Sequence, residues 1–284
     1  MGAAAFFSGT KVQAFQLYTL SSTVSNSTDP TRFGVVDVNS GAYTNITNLT
    51  GFPYRNLVLN GDTFLTSRRN GANGQLASLT RSGVASPIGT VGRTLYGMSR
   101  SPQGSLYGYD VATDIVGLIN PATGGWTAVG SSGVGMINNT TNSVGGKLAF
   151  HNGTLYIAAR TNSPTPAQTR FGTIDLTTGA MTTITTSNPL MQYMTLASYG
   201  GVLYGLYANG ATATPAVLPG IYTIDIATGA STRIRDITGF DANFYFHGAA
   251  APAPLPMLGA AAVFGSVRKL RGFTKKLSLL KQTA

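Results

Sequence analysis

The chain has no cysteine and no glutamate. Among its 284 residues there are two histidines and one tryptophan, and only 10% of residues are charged. Without cysteine there are no disulfides and no thiolate metal sites. Without glutamate there is no His-Glu-x-x-His zinc motif, and the Gly-x-Ser-x-Gly and P-loop patterns are missing too. His151 and His247 are the only candidate bases of neutral pH. Both are read as following the same repeated strand, where a structural role at a turn competes with metal binding. A nucleophile–base pair would need a serine beside one of them. Asp110 and Asp114 form an i, i+4 pair of carboxylates, too few for calcium, which takes six to eight oxygens. The sequence thus names no catalytic residue, no metal ligand and no cofactor.

The net charge of +10 is unevenly spread. Residues 15–248 carry twelve Arg or Lys against nine Asp, a balance of +3, whereas residues 249–284 hold six basic residues and no acid. Lys11 supplies the last unit. Nucleic-acid binding would place the basic excess on a folded surface, so it is excluded here as a partner class.

What the chain has in abundance is repetition. Phe33-Gly-Val-Val-Asp-Val-Asn-Ser-Gly41, Val116-Gly-Leu-Ile-Asn-Pro-Ala-Thr-Gly124, Phe171-Gly-Thr-Ile-Asp-Leu-Thr-Thr-Gly179 and Ile221-Tyr-Thr-Ile-Asp-Ile-Ala-Thr-Gly229 are copies of one unit. A degraded fifth copy ends at Gly83. Each begins with the period-two alternation of a half-buried strand. Asp37, Asn120, Asp175 and Asp225 then suit an Asx-turn, and Gly41, Gly124, Gly179 and Gly229 suit the positive φ that closes a hairpin. A second strand follows at 42–47, 125–129, 180–185 and 230–235. Two further strands precede each hairpin, one at 16–20, 63–67, 105–109, 154–158 and 202–206, the other at 56–59, 95–99, 147–150 and 194–197.

The unit is therefore a four-stranded meander, a-b-c-d, of the ~40–50 residues found in propeller blades. The chain opens on strand b and ends its repeats on an unpaired strand a, 243–246. A ring joins these two strands into one blade; an open solenoid or stacked sandwiches leave the split unexplained. The expected fold is an all-β, five-bladed β-propeller over residues 15–248.

Both ends read as flanking segments. Residues 1–14 are apolar and finish Val12-Gln-Ala14, a small-residue cleavage pattern, so they are a signal-peptide remnant or a flexible arm. Residues 249–284 contain Ala251-Pro-Ala-Pro-Leu-Pro256, an apolar run over 255–267, and Arg268-Lys-Leu-Arg271. The run is shorter than the ~20 residues a spanning helix needs. A Pro-rich spacer, an apolar run and a basic cluster in this order resemble the PEP-CTERM class of bacterial sorting signal, in its Pro-x-Pro-Leu-Pro cyanobacterial form, although the Pro-Glu-Pro triplet is absent. The resemblance covers about residues 252–276. It implies export, transient membrane contact through the tail, and a sorting transpeptidase as partner. The repeats also look like those of secreted propellers that carry such tails. The other reading of the run is an interfacial helix with its cations among lipid headgroups.

In a propeller the d–a and b–c connections share one face. Here they include the long segments 131–145, 161–169, 209–218 and 68–74, and long loops on a rigid scaffold are where ligands bind. Arg55, Arg69, Arg93, Arg160 and Arg170, with Tyr54 and Tyr193, fall on that face and suit an anionic or sugar-like ligand, such as an extracellular polysaccharide or envelope protein. The expectation is an exported, surface- or envelope-associated, non-catalytic binding or structural propeller. The alternative is a propeller hydrolase or lyase, with or without a metal, acting from the same face.

Overall fold

A computed structural model describes residues 15–23, 30–51, 53–70, 73–135, 147–161, 168–208, 218–241 and 243–252. The N-terminal segment 1–14, the tail from residue 253, and the central parts of three long loops (136–146, 162–167 and 209–217) lie outside the described residues. Among the described residues, twenty strands form five antiparallel four-stranded sheets. Blade one is β20 (Tyr245–Ala250), β1 (Gln16–Ser22), β2 (Thr31–Asp37) and β3 (Tyr43–Leu49). Blade two runs β4 (Tyr54–Asn60), β5 (Thr63–Asn70), β6 (Asn73–Leu79), β7 (Ala85–Thr90), and blade three β8 (Leu95–Arg100), β9 (Leu106–Asp110), β10 (Ile115–Ile119), β11 (Trp126–Ser131). Blade four is β12 (Lys147–His151), β13 (Thr154–Thr161), β14 (Gln168–Ile174), β15 (Met181–Thr185). Blade five is β16 (Met194–Tyr199), β17 (Val202–Tyr207), β18 (Gly220–Ile224), β19 (Ser231–Asp236). The innermost strands touch in the order β20, β4, β8, β12, β16 and back to β20, so the ring is closed. The fold is the expected five-bladed propeller.

The physical reason for repetition lies in the core. The buried apolar residues fall into five clusters, and each straddles two neighbouring blades. Tyr109 and Val116 of blade three, for instance, pack with Leu148, Leu155 and Ile157 of blade four. Each blade is thus completed by its neighbours. The outer strands bury little, and β3 and β19 are mostly exposed.

Two further regularities recur around the ring. Strand c bulges against strand d in every blade, at Phe33/Gly34, Leu76/Ala77, Val116/Gly117, Phe171/Gly172 and Ile221/Tyr222, which adds local twist. In addition, each c–d turn glycine packs on strand d, or the residue ending it, of the preceding blade. Gly179 and Thr178 meet Gly130, Gly124 meets Gly89, Gly83 and Gly229 meet Thr47 and Thr185, and Gly41 meets Asp236.

These contacts predict a specific mutational pattern. A Cβ on Gly130 would stand 1.9 Å from the Thr178 carbonyl oxygen, although its own φ is unexceptional. Gly130→Ala therefore costs about 3 kcal/mol, because one blade must shift from another. Gly153 has φ +82° and nothing within 4 Å of such a Cβ, so Gly153→Ala costs only about 1 kcal/mol of left-handed backbone strain. Urea melts of the two variants give this order; equal losses would show that the inter-blade contact has no energetic role.

Two expectations are corrected. The last strand is Tyr245–Ala250, not 243–246, because pairing with β1 carries it through Gly248-Ala-Ala250. His247 is therefore mid-strand while His151 ends β12, so the two histidines are not equivalent. Residues 68–74 are not a long connection either: β5 and β6 stay paired out to Asn70 and Asn73.

Candidate functional site

Two neighbouring features lie toward the end of the ring where strands a begin and strands b finish. The first is a cleft between blades two and three, lined by Arg55, Ser67, Arg68, Gly74, Arg93, Thr94 and Leu95. Arg55 is set by its neighbours: Asn56 takes φ 59°, the β4–β5 register shifts between Arg55 and Val58, and the Thr66 and Ser67 hydroxyls donate to the Arg55 carbonyl at 3.0 and 3.1 Å. Its guanidinium lies 4.6 Å from the centre of the Tyr96 ring. Arg68 Nε donates to Gln75 Oε1 at 2.7 Å. Arg93 sits on the link between β7 and β8, held by bonds from Val91 N and Gly92 N to the Gly74 carbonyl, and there Gly74 leaves no room for a Cβ. Arg93 is paired with a carboxylate: Asp110 Oδ2 lies 3.7 Å from Arg93 Nη1.

The second feature is a small cavity in the channel, lined by all five inner strands: Asn56 and Leu57 of β4, Met98 of β8, Lys147 and Leu148 of β12, Thr195 and Leu196 of β16, and His247, Gly248 and Ala249 of β20. Lys147 is buried, and its Nζ donates to the His247 carbonyl at 3.1 Å. Burial, followed by the like charge of Arg55, pulls the Lys147 ammonium down to about 7. His247 Nε2 lies 2.7 Å from Ser22 Oγ, while its buried Nδ1 has no hydrogen-bond partner among the described residues. Burial first, then Arg55 and Lys147, hold His247 well below its ordinary value. Both groups are thus biased toward neutrality.

His151 also bonds a serine, with Nδ1 2.9 Å from Ser198 Oγ and Nε2 3.1 Å from Asn152 Nδ2. An Asn152 amide donating to Nε2 leaves the imidazole proton on Nδ1, donated toward Ser198. A general base needs the opposite direction. Asp110 and Asp114 staple the b–c turn of blade three. Asp114 accepts from Tyr109 Oη at 2.8 Å, from the Ser131 and Ser132 hydroxyls and from Gly135 N, and Asp110 accepts from Ala112 N and Thr113 Oγ1. Among the described residues no three His, Asp or Glu side chains gather as a metal site would require.

A family model described as a repeat of unknown function (DUF6923) matches residues 95–262. The chain belongs to this repeat family. The DUF6923 match starts at the first residue of β8 and takes in blades three, four and five with β20. Lys147 and His247 fall inside it, while Arg55, Arg68 and Arg93 precede it. No curated protein matches this DUF6923 chain in sequence. Among solved structures, a chain from the crystal structure of a nidogen/laminin complex is similar with a TM-score of 0.52 and 8% identity, over 83% of this chain and 98% of that one. The likeness shows the fold. The structure of a PQQ-bound aldose sugar dehydrogenase from Streptomyces coelicolor aligns at TM-score 0.37 and 13% identity, over 48% and 46% of the two chains.

The structure gathers only some of the residues singled out from sequence. Arg55 and Arg93 share the cleft. Arg160 and Arg170 lie on blade four, on β13 and β14, where Arg170 Nη1 donates to the Gly133 carbonyl at 3.4 Å. Arg69 is on β5 opposite Gly74, and Tyr193 closes a 3₁₀ turn, Pro189–Tyr193. Tyr54 is a core residue rather than a surface one. At the turns, Asp37, Asp175 and Asp225 each accept from two backbone amides through Oδ1, and Asn120 Oδ1 accepts from Ala122 N. The turn glycines Gly41, Gly124, Gly179 and Gly229 have φ between 69° and 78°. Sequence reasoning passed over Arg68 and Lys147. A signal for the second existed, since Lys147 is the one lysine between residues 15 and 248 and it opens an otherwise apolar strand.

Proposed function

We propose that this DUF6923 protein is an exported, non-catalytic binding propeller that holds an acidic polymer, a carboxylated or sulfated polysaccharide, in the Arg55–Arg68–Arg93 cleft. The observation that carries the reading is the convergence of three arginines, Arg55, Arg68 and Arg93, on the lining of one cleft. Planar guanidiniums suit carboxylate and sulfate groups through charge-assisted paired bonds. Export rests on the tail, with its spacer, apolar run and basic cluster.

Binding to polygalacturonate and to neutral dextran of equal length tests the cleft. The acidic polymer binds, more weakly as salt rises, and Arg93→Ala loses about tenfold in affinity, the loss of one charge-assisted contact. Equal affinity for the two polymers, or none for either, overturns the reading. Terminal sequencing of the native protein from separate cell fractions tests export: an intact tail in the cytoplasmic fraction removes it.

A further inference from the structure

We propose that the channel cavity is a binding site for a single halide ion, chloride in the cell, held between Lys147 and His247 and separate from the polymer cleft. The proposal stands on donors and space. A lysine ammonium has three N–H groups, and Lys147 spends one of them on the His247 carbonyl. His247 lines the same cavity with a buried Nδ1 that has no hydrogen-bond partner among the described residues. Buried polar atoms in native proteins are nearly always paired, so the two groups together call for a small partner. Space sets its size: the cavity has room for about one water-sized species, which suits a single monatomic anion better than phosphate, sulfate or a carboxylate.

Charge then selects an anion over water. Lys147 from β12 is the ionisable cation lining the cavity, and the nearby charge of Arg55 on β4 acts on both Lys147 and His247; His247, held toward its neutral form, contributes a donor rather than a charge. The cavity residues of β8 and β16, namely Met98, Thr195 and Leu196, carry no charge, and among the described residues no carboxylate lines the cavity. A buried Lys147 ammonium without a counter-charge is costly, and a halide supplies one. The Ser22–His247 pair adapts to it. Ser22 Oγ can donate to the Thr23 carbonyl, 3.0 Å away, or to His247 Nε2. With the second choice, Nδ1 carries the proton and becomes a donor to the ion.

The test uses the full chain at pH 6.5 and constant ionic strength, with chloride replacing gluconate, an anion too large for the cavity. Wild-type protein gains about 4 °C in Tm at saturating chloride, along a hyperbolic curve, while Lys147→Met shows no such gain. A second measurement needs no variant: a crystal grown in bromide gives an anomalous peak within about 3.5 Å of Lys147 Nζ. An equal chloride response in Lys147→Met, or no anomalous peak in bromide, overturns the proposal. Loss of polymer binding alone leaves both halide readouts unchanged, so the two sites fail independently.

Discussion

Deleting residues 243–252 abolishes the cooperative folded state. Strand β20, the last of the repeat array, hydrogen-bonds to β1, which it pairs from Tyr18↔Ala250 to Ser22↔Tyr245. It also closes the ring of inner strands by touching β4 and β16. Its removal strips Phe246 and Ala249 from the cluster between blades five and one, and Ala250 from the cluster between blades one and two. The stack of Phe246 on Phe240 goes with them. The newly bare edge of β1 is an open template for association. The loss exceeds the 5–15 kcal/mol that holds a typical domain together. A thermal melt without a single transition, against a cooperative one for the chain ending at Pro252, is the expected result; a sharp transition in the deletion variant would show that the ring is stable open.

Lys147→Met raises stability at pH 7 and removes most of its pH dependence between about 7 and 10. The ammonium leaves water for the channel, and its value falls from 10.5 to about 7. Across that interval the unfolded chain holds a proton that the folded chain does not, so stability rises with pH by up to about 1.4 kcal/mol per unit. Below about pH 7 both states are protonated there, and the destabilisation is at its full value. His247, also depressed, adds a loss on acidification below its ordinary value of 6.5. Above pH 10 the sign reverses, because Tyr109 and Tyr43 are raised by burial and stay protonated when the unfolded chain ionises. Wild-type stability in halide-free buffer thus peaks just below pH 10. Methionine keeps the volume without the charge, and the gain at pH 7 is on the order of 2 kcal/mol. Denaturant melts across pH 6–10 read both effects; parallel wild-type and variant curves would mean that Lys147 titrates as it does in water.

The arrangement of strands was legible in the residues because four of the five blades announce themselves twice, by alternation in strand c and by the Asp- or Asn-x-x-x-Gly spacing of the turn. The split of blade one was legible from phase alone. The position of β20 was less so, since Gly248-Ala-Ala-Ala-Pro252 has the composition of a spacer and becomes strand only by pairing with β1. The recurrent c–d bulge was hidden: Gly34, Gly117 and Gly172 mark it in three blades, but Ala77 and Tyr222 stand there in the others. Strand polarity did assign arginines to a face. It could not tell that Arg55 meets Arg68 and Arg93 across a blade junction while Arg160 and Arg170 stay on blade four, because a face is set by topology and a cleft by the packing of non-consecutive segments. The channel cluster was hidden for the same reason, its members lying one hundred residues apart.

The split in blade one also decides how the molecule can be held. In every other blade a tight turn joins strand a to strand b; in blade one that turn is replaced by the two points where the chain enters at Phe15 and leaves at Pro252. Both points therefore open on the side of the a–b turns, whereas the arginine cleft opens on the other. A tether attached at either point would leave the arginine cleft on the face of the ring away from the attachment.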